Sequence, residues 1–217
     1  NNIIIRLQNK NNIDNITLIK NIKNLVGDNI VEFRRSEFVG PTISKELFYN
    51  GLKAICLAML AILVYIWFRF EWQFGIGAII ALIHDVLITL GILSIFRVDF
   101  NLSTIAAILT IAGYSINDTV VIFDRVRENL RKHSDIKIFE LTNISINETL
   151  SRTIITSITT LLALLSIYFF GGEILKGFSL AMILGVIFGT YSSIYIANPI
   201  LVLLRVSQRT IIKEEKE

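Results

Sequence analysis

Five long apolar runs set the terms for what this chain can fold into. They cover residues 52–68, 72–96, 102–123, 154–170 and 175–204. A helix rises about 1.5 Å per residue, so about 20 apolar residues cover the hydrocarbon of a bilayer. The first and fourth runs are short, and each extends into its N-terminal flank. A soluble helical core of this size would need a polar stripe along each helix, and most of these runs lack one. The composition agrees: 53% of the 217 residues are hydrophobic and 18% charged, against about 25% charged in soluble domains. The prolines are Pro41 and Pro199 alone, so long helices meet few interruptions. Phe48, Tyr49, Trp67, Trp72, Tyr168 and Phe170 lie near run ends, where aromatic rings favour the membrane interface. Lys53 can snorkel from such an end.

Residues 1–40 have a different pattern. Residues 3–7 and 30–34 are β-branched runs that predict strands. Between them Ile16, Ile19, Ile22, Leu25 and Val26 recur at helical spacing, and Gly27-Asp28-Asn29 ends that helix. A β-α-β unit of this size buries too little core to stand alone. It is expected to be the later part of a small external α+β domain, bounded by Gly40-Pro41. The chain starts at Asn1, with no leader pattern; an upstream helix and half-domain are expected to precede it. The expected fold class is therefore mainly α: a polytopic helical membrane bundle over 41–206, with a partial α+β domain at 1–40 and a tail at 207–217.

Lysine and arginine placement orients the bundle. With 1–40 outside, the cytoplasmic pieces are the turn at 69–71, a loop at about 125–151 and the tail. They carry Arg69, Arg125, Arg127, Arg131, Lys132, Lys137, Arg205, Arg209, Lys213 and Lys216; the short external loops carry Arg97 and Lys176. This bias of ten against two predicts an external N-terminal domain and a cytoplasmic C-terminus. The seven basic residues of 1–46 point the other way, but translocated domains follow the rule loosely. Residues 136–150 mix apolar and polar positions and are expected to lie along the cytoplasmic surface before the next crossing. No nucleic-acid motif accompanies the basic residues. The single Cys56 cannot form an internal disulfide and reads as a small hydrophobe.

Ionisable groups in hydrocarbon are costly, so each needs a reason. Asp118 lies seven residues before Arg125, roughly 10 Å along the helix. Thr110, Tyr114, Asn117 and Asp118 share a broad face, with Gly113 beside it, that is expected to point into the bundle. Asp118 reads either as a titrating group or as a structural polar contact between helices. Arg152 opens the fourth run, on a stripe with Thr149, Thr156, Thr159 and Ala163. It is a candidate partner for Asp118, or an interfacial anchor. His84 and Asp85 sit mid-run in the second segment, as a proton-accessible pair or a satisfied structural one. Neighbours on a helix diverge by about 100°, so the two cannot face one partner. His133 adds no ligand cluster, so neither a metal nor another cofactor is expected. Gly185 and Gly189, with Ser192 and Ser193 following, read as close helix packing rather than chemistry.

The stretch Gly113-Tyr114-Ser115-Ile116-Asn117-Asp118-Thr119-Val120-Val121-Ile122-Phe123-Asp124-Arg125-Val126-Arg127-Glu128-Asn129 resembles the SecF signature of the SecD/SecF family of protein-export membrane subunits. Phe38-Val39-Gly40-Pro41 with Glu46-Leu47, Ala81-Leu82-Ile83-His84-Asp85-Val86 and Ser151-Arg152-Thr153-Ile154 also match its pattern, in family order. The resemblance implies a six-helix bundle of the resistance-nodulation-division type, with its first helix upstream of this sequence. It implies SecD, the SecYEG channel and exported polypeptides as partners in a bacterial inner membrane, with proton-motive force driving export. It assigns proton coupling to the positions of Asp118 and Arg152, with His84, Asp85, Asn117 and Thr156 as candidate supporting polar groups.

Two rival classes remain on the sequence. A small-molecule or lipid exporter of the same superfamily would share the bundle but is expected to carry large external domains. An intramembrane aspartyl protease would need Asp85 and Asp118 to meet within a few ångströms, and its glycine-flanked aspartate motif is absent. No Walker-type loop occurs, so the chain is expected to be no ATP-hydrolysing enzyme.

Overall fold

The computed structural model describes residues 20, 21, 24, 25, 41–98, 101–133, 136–208 and 211. The chain divides into two compact units, Asn1–Glu46 and Leu47–Glu217. In the first, the described positions Lys20, Asn21, Asn24 and Leu25 are helical. The two expected strands lie outside the described residues.

The second unit is helical. Its elements are α1 (Pro41–Arg69, entering from the first unit), α2 (Trp72–Ile95), α3 (Leu102–Lys132), α4 (Ile138–Phe170), α5 (Glu173–Ser192), a π-helical turn (Ser193–Ala197) and α6 (Asn198–Leu203). Five stretches are long and apolar enough to cross a membrane, and they fall on the five apolar runs. Local chemistry sets the boundaries. Asn101 caps α3 by accepting the Thr104 N–H at 3.0 Å. Arg97 ends the turn after α2 in the left-handed region, with φ 52°. Pro199 has no N–H to return to the preceding turn. The ladder widens there into the π turn, and Asn198 Nδ2 donates to the Ser193 carbonyl at 2.7 Å.

Residues 125–151 are mostly helix. α3 continues to Lys132 and α4 starts at Ile138, so the non-helical link is short. The stretch expected to lie along the cytoplasmic surface is helical from Ile138 and continues without a break into the rest of α4. Its apolar positions do not stop at Leu150, and Leu141 buries completely among core residues.

α3 and α5 pack against each other and against α2 and α4. The contact of α5 on α3 depends on Gly185 and Gly189: a Cβ on Gly185 would collide with the Ile111 side chain, and one on Gly189 would sit 3.0 Å from Ser115 Cβ. Outward faces are apolar. Leu57, Leu60, Trp67 and Phe68 on α1, and Ile155, Ile158 and Leu162 on α4, are exposed. In water such surface would drive association.

The interior has two apolar clusters. One holds Ile66, Phe70, Phe74, Ile122, Phe123, Val126, Leu130, Leu141, Ala197 and Leu201. Phe74 and Phe123 meet edge-to-face there, with centroids 5.1 Å apart. The other holds Leu93, Ala107, Ile111, Leu164, Ala181, Met182 and Val186. On α2, α3 and the α5–α6 segment alike, the residues between these clusters include buried polar ones: Asp85, then Ser115, Asp118 and Thr119, then Ser192 and Ser193. A polar layer therefore separates two greasy halves.

Candidate functional site: a polar layer inside the bundle

Asp85 is the centre of this layer. Its side chain is fully buried, and its oxygens collect hydrogen bonds from three sides. Ser115 Oγ of α3 donates to Oδ2 at 2.5 Å, and Ser192 Oγ of α5 to the same oxygen at 2.7 Å. His84 Nδ1 lies 3.0 Å from Oδ1. A buried carboxyl is tolerated where such partners replace water. Beside it, the Thr119 and Ser193 hydroxyls meet at 2.8 Å. His84 points outward, with 24% of its side chain exposed, and its ring stacks on Tyr191. The 100° divergence of neighbours thus places His84 at the rim and Asp85 inside, meeting sideways.

Asp118 stands in contrast. It is 4% exposed, and its Oδ2 is buried without a hydrogen-bond partner. The Arg152 guanidinium of α4 is near enough for its charge to act on Asp118. The two form no ion pair, and Arg152 is on the exposed side of α4. The acid is thus buried within reach of a base that does not bond to it.

The other predicted residues separate. Tyr114 joins α3 to α4, with its hydroxyl 3.3 Å from the Thr156 carbonyl and 3.2 Å from Thr160 Oγ1. Thr156 Oγ1 donates to the Arg152 carbonyl at 3.0 Å, tying it to the turn that carries Arg152. Thr110 and Asn117, expected to face inward, instead form an exposed stripe on α3 together with Gly113. The helical step explains the split: the inner face of α3 runs through Ile111, Ser115, Asp118 and Ile122, and Asn117 lies about 100° from Asp118.

The structure adds residues that the sequence reading missed. Ser192 and Ser193 do more than allow close packing: they bond to the polar groups of α2 and α3. The signal was available as hydroxyls at matching depth on separate helices. A second set gathers at the other end of α3. Arg69 pairs with Asp124 at 2.7 Å, Arg125 with Glu148 at 2.7 Å, and Arg127 with the buried Glu71 at 2.9 Å.

Helices long enough to span a membrane, apolar outside and polar at one interior level, define a polytopic membrane protein with an ionisable core. Comparison with known proteins narrows this: residues 18–207 match the family described as protein export membrane protein SecD/SecF, C-terminal, and the chain belongs to it. Protein translocase subunit SecF of Rickettsia conorii is 55% identical over 88% of this chain and 62% of its own length. The SecF of Rickettsia akari is 59% identical over 78% of this chain and 55% of its own. The chain thus spans about three fifths of the length of these relatives. Among solved structures, SecDF from Thermus thermophilus, titled a translocon-associated membrane protein, superposes with TM-score 0.73 and 48% identity, over 76% of this chain and 23% of that one. SecDF in its super-membrane-facing form gives TM-score 0.73 and 37% identity, over 94% and 28%.

Proposed function

We propose that this chain is a SecF-type subunit that works with a SecD partner beside the SecYEG channel, coupling the proton-motive force to export of polypeptides across a bacterial inner membrane. It acts as a translocase subunit rather than as an enzyme. The observation that carries the reading is Asp118: buried, with an unsatisfied oxygen, and within electrostatic reach of Arg152. Charged, Asp118 attracts Arg152; protonated, it releases that attraction. Helices packed through small residues can hold two arrangements, and the charge state of the acid biases them. One proton crossing 100 mV supplies about 2.3 kcal/mol, enough to shift such a balance. The basic bias of the helix ends supports residues 1–40 as periplasmic and the C-terminus as cytoplasmic.

The test is export of a secretory polypeptide into inverted inner-membrane vesicles, with and without the full-length protein. The expected result is that adding the protein gives export a component that collapses with an uncoupler. Export unaffected by the protein, together with proton-dependent transport of a small molecule, would favour the exporter reading instead.

A further inference from the structure

We propose that Asp85 is a second proton-binding group of the bundle, exchanging its proton with His84 and setting by its charge how firmly α5 is fastened to α2 and α3. This rests on the proton-coupled reading above for its purpose, but its chemistry is read from a different set of residues. Asp85 is a fully buried carboxyl that the Asp118–Arg152 gap does not use.

The groups around it are these. On its own helix, His84 is the basic group that meets it. From α3 comes Ser115, with Asp118 about one turn further along and Tyr114 turned to α4. From α5 comes Ser192, with Tyr191 stacked on His84. From the π turn, Tyr195 lies against Tyr191, and Ser193 against Thr119.

The transfer balances on two atoms. The imidazolium of His84 gives the proton on Nδ1 to Asp85 Oδ1, leaving a neutral imidazole and a carboxylic acid; the reverse step restores the charged pair. His84 is the partly exposed member and so the way in.

The hydroxyls translate charge into packing. Ser192 has two acceptors within reach: Asp85 Oδ2 at 2.7 Å and the Gly189 carbonyl of its own helix at 3.1 Å. Against a carboxylate, its proton is best placed on Asp85, which ties α5 to α2. Against a neutral acid that acceptor weakens, and the hydroxyl can bond to the Gly189 carbonyl within α5 instead. The tie is cut without stranding a buried donor. The π turn begins at the next residue, Ser193, where the ladder register already changes. A shift of α5 has a place to be absorbed.

The experiment is infrared difference spectroscopy of the full-length protein, reconstituted with its SecD partner, across a pH titration. A carboxylic-acid band that titrates should vanish in Asp85→Asn and persist in Asp118→Asn. His84→Gln should move the midpoint of that band by about one pH unit or more, because the band loses a coupled charge. Ser192→Ala keeps both carboxyls and should shift the same midpoint while leaving the Asp118 band in place; it serves if Asp85→Asn fails to fold. Titrating bands unchanged by Asp85→Asn, or by both His84→Gln and Ser192→Ala, would overturn the proposal. Absence of a band specific to Asp118 would count against the proposed function and leave this inference standing.

Discussion

Arg127 on α3 places its guanidinium 2.9 Å from the carboxylate of Glu71, the residue before the first turn of α2. The charges meet without hydrogen-bond alignment, and both Glu71 oxygens lack a hydrogen-bond donor. A second nitrogen, Arg127 Nη1, donates to the Arg69 carbonyl at 3.2 Å, so one side chain fastens the α1–α2 turn to α3. Arg127→Ala would leave Glu71 buried and unpaired, at a cost on the order of 3–5 kcal/mol. Pairing it with Glu71→Gln should recover part of the loss, since no buried charge then remains. By contrast Asp124→Ala, which breaks the exposed pair with Arg69, should change stability by less than about 1 kcal/mol. Thermal unfolding in detergent reads all three; equal losses in Arg127→Ala and Asp124→Ala would refute the distinction.

Gly77 lies at a close approach of α2 to the π turn. An added Cβ would lie 2.9 Å from the Ala197 carbonyl oxygen and 3.3 Å from Phe123 Cζ. Gly77→Ala should therefore cost about 1–3 kcal/mol by forcing backbone apart. At Gly91 a Cβ meets nothing within 4 Å, and alanine there should be neutral or stabilising by up to about 1 kcal/mol. The same melting assay compares them, and a tolerated Gly77→Ala would contradict the packing described.

The orientation is open to labelling. Cys56 is exposed and should first be replaced by serine. Single cysteines at Arg97 and His133 then report opposite sides. A membrane-impermeant thiol reagent added to intact cells should modify position 97 and spare position 133. The reverse pattern would overturn the assignment of residues 1–40 to the periplasm.

The five spans were legible because a membrane demands long apolar runs, which remain visible whatever the helices pack against. Asp85, Asp118 and Arg152 stood out for the same reason: a charge in such a run is conspicuous. What each charge touches was not legible. Asn117 is adjacent in sequence to Asp118, yet one faces out and the other in, because only packing fixes the rotation of α3. Ser192 and Ser193 looked like spacers, since a serine in a small-residue motif carries no mark of its partner; the partner of Ser192, Asp85, is 107 residues away and that of Ser193, Thr119, is 74 away. The Arg127–Glu71 pair joins a helix end to a turn that hydropathy treats as two separate surface positions. The family resemblance supplied the role expected of Asp118 and Arg152, and the structure added that Arg152 acts on Asp118 by charge without bonding to it.

The central claim is that Asp118 changes protonation during the working cycle. Asn nearly matches Asp in shape and still hydrogen-bonds, so Asp118→Asn should fold and insert, but it cannot titrate. Arg152→Lys should also impair function, because a flexible ammonium does not reproduce a planar guanidinium. The decisive measurement is proton-motive-force dependence of export in vesicles with equal membrane levels of wild type and Asp118→Asn. Loss of the force-dependent component in Asp118→Asn, with basal export retained, is the predicted result. Export by Asp118→Asn with an undiminished dependence on the proton-motive force would show that Asp118 is a structural polar contact and contradict the mechanism.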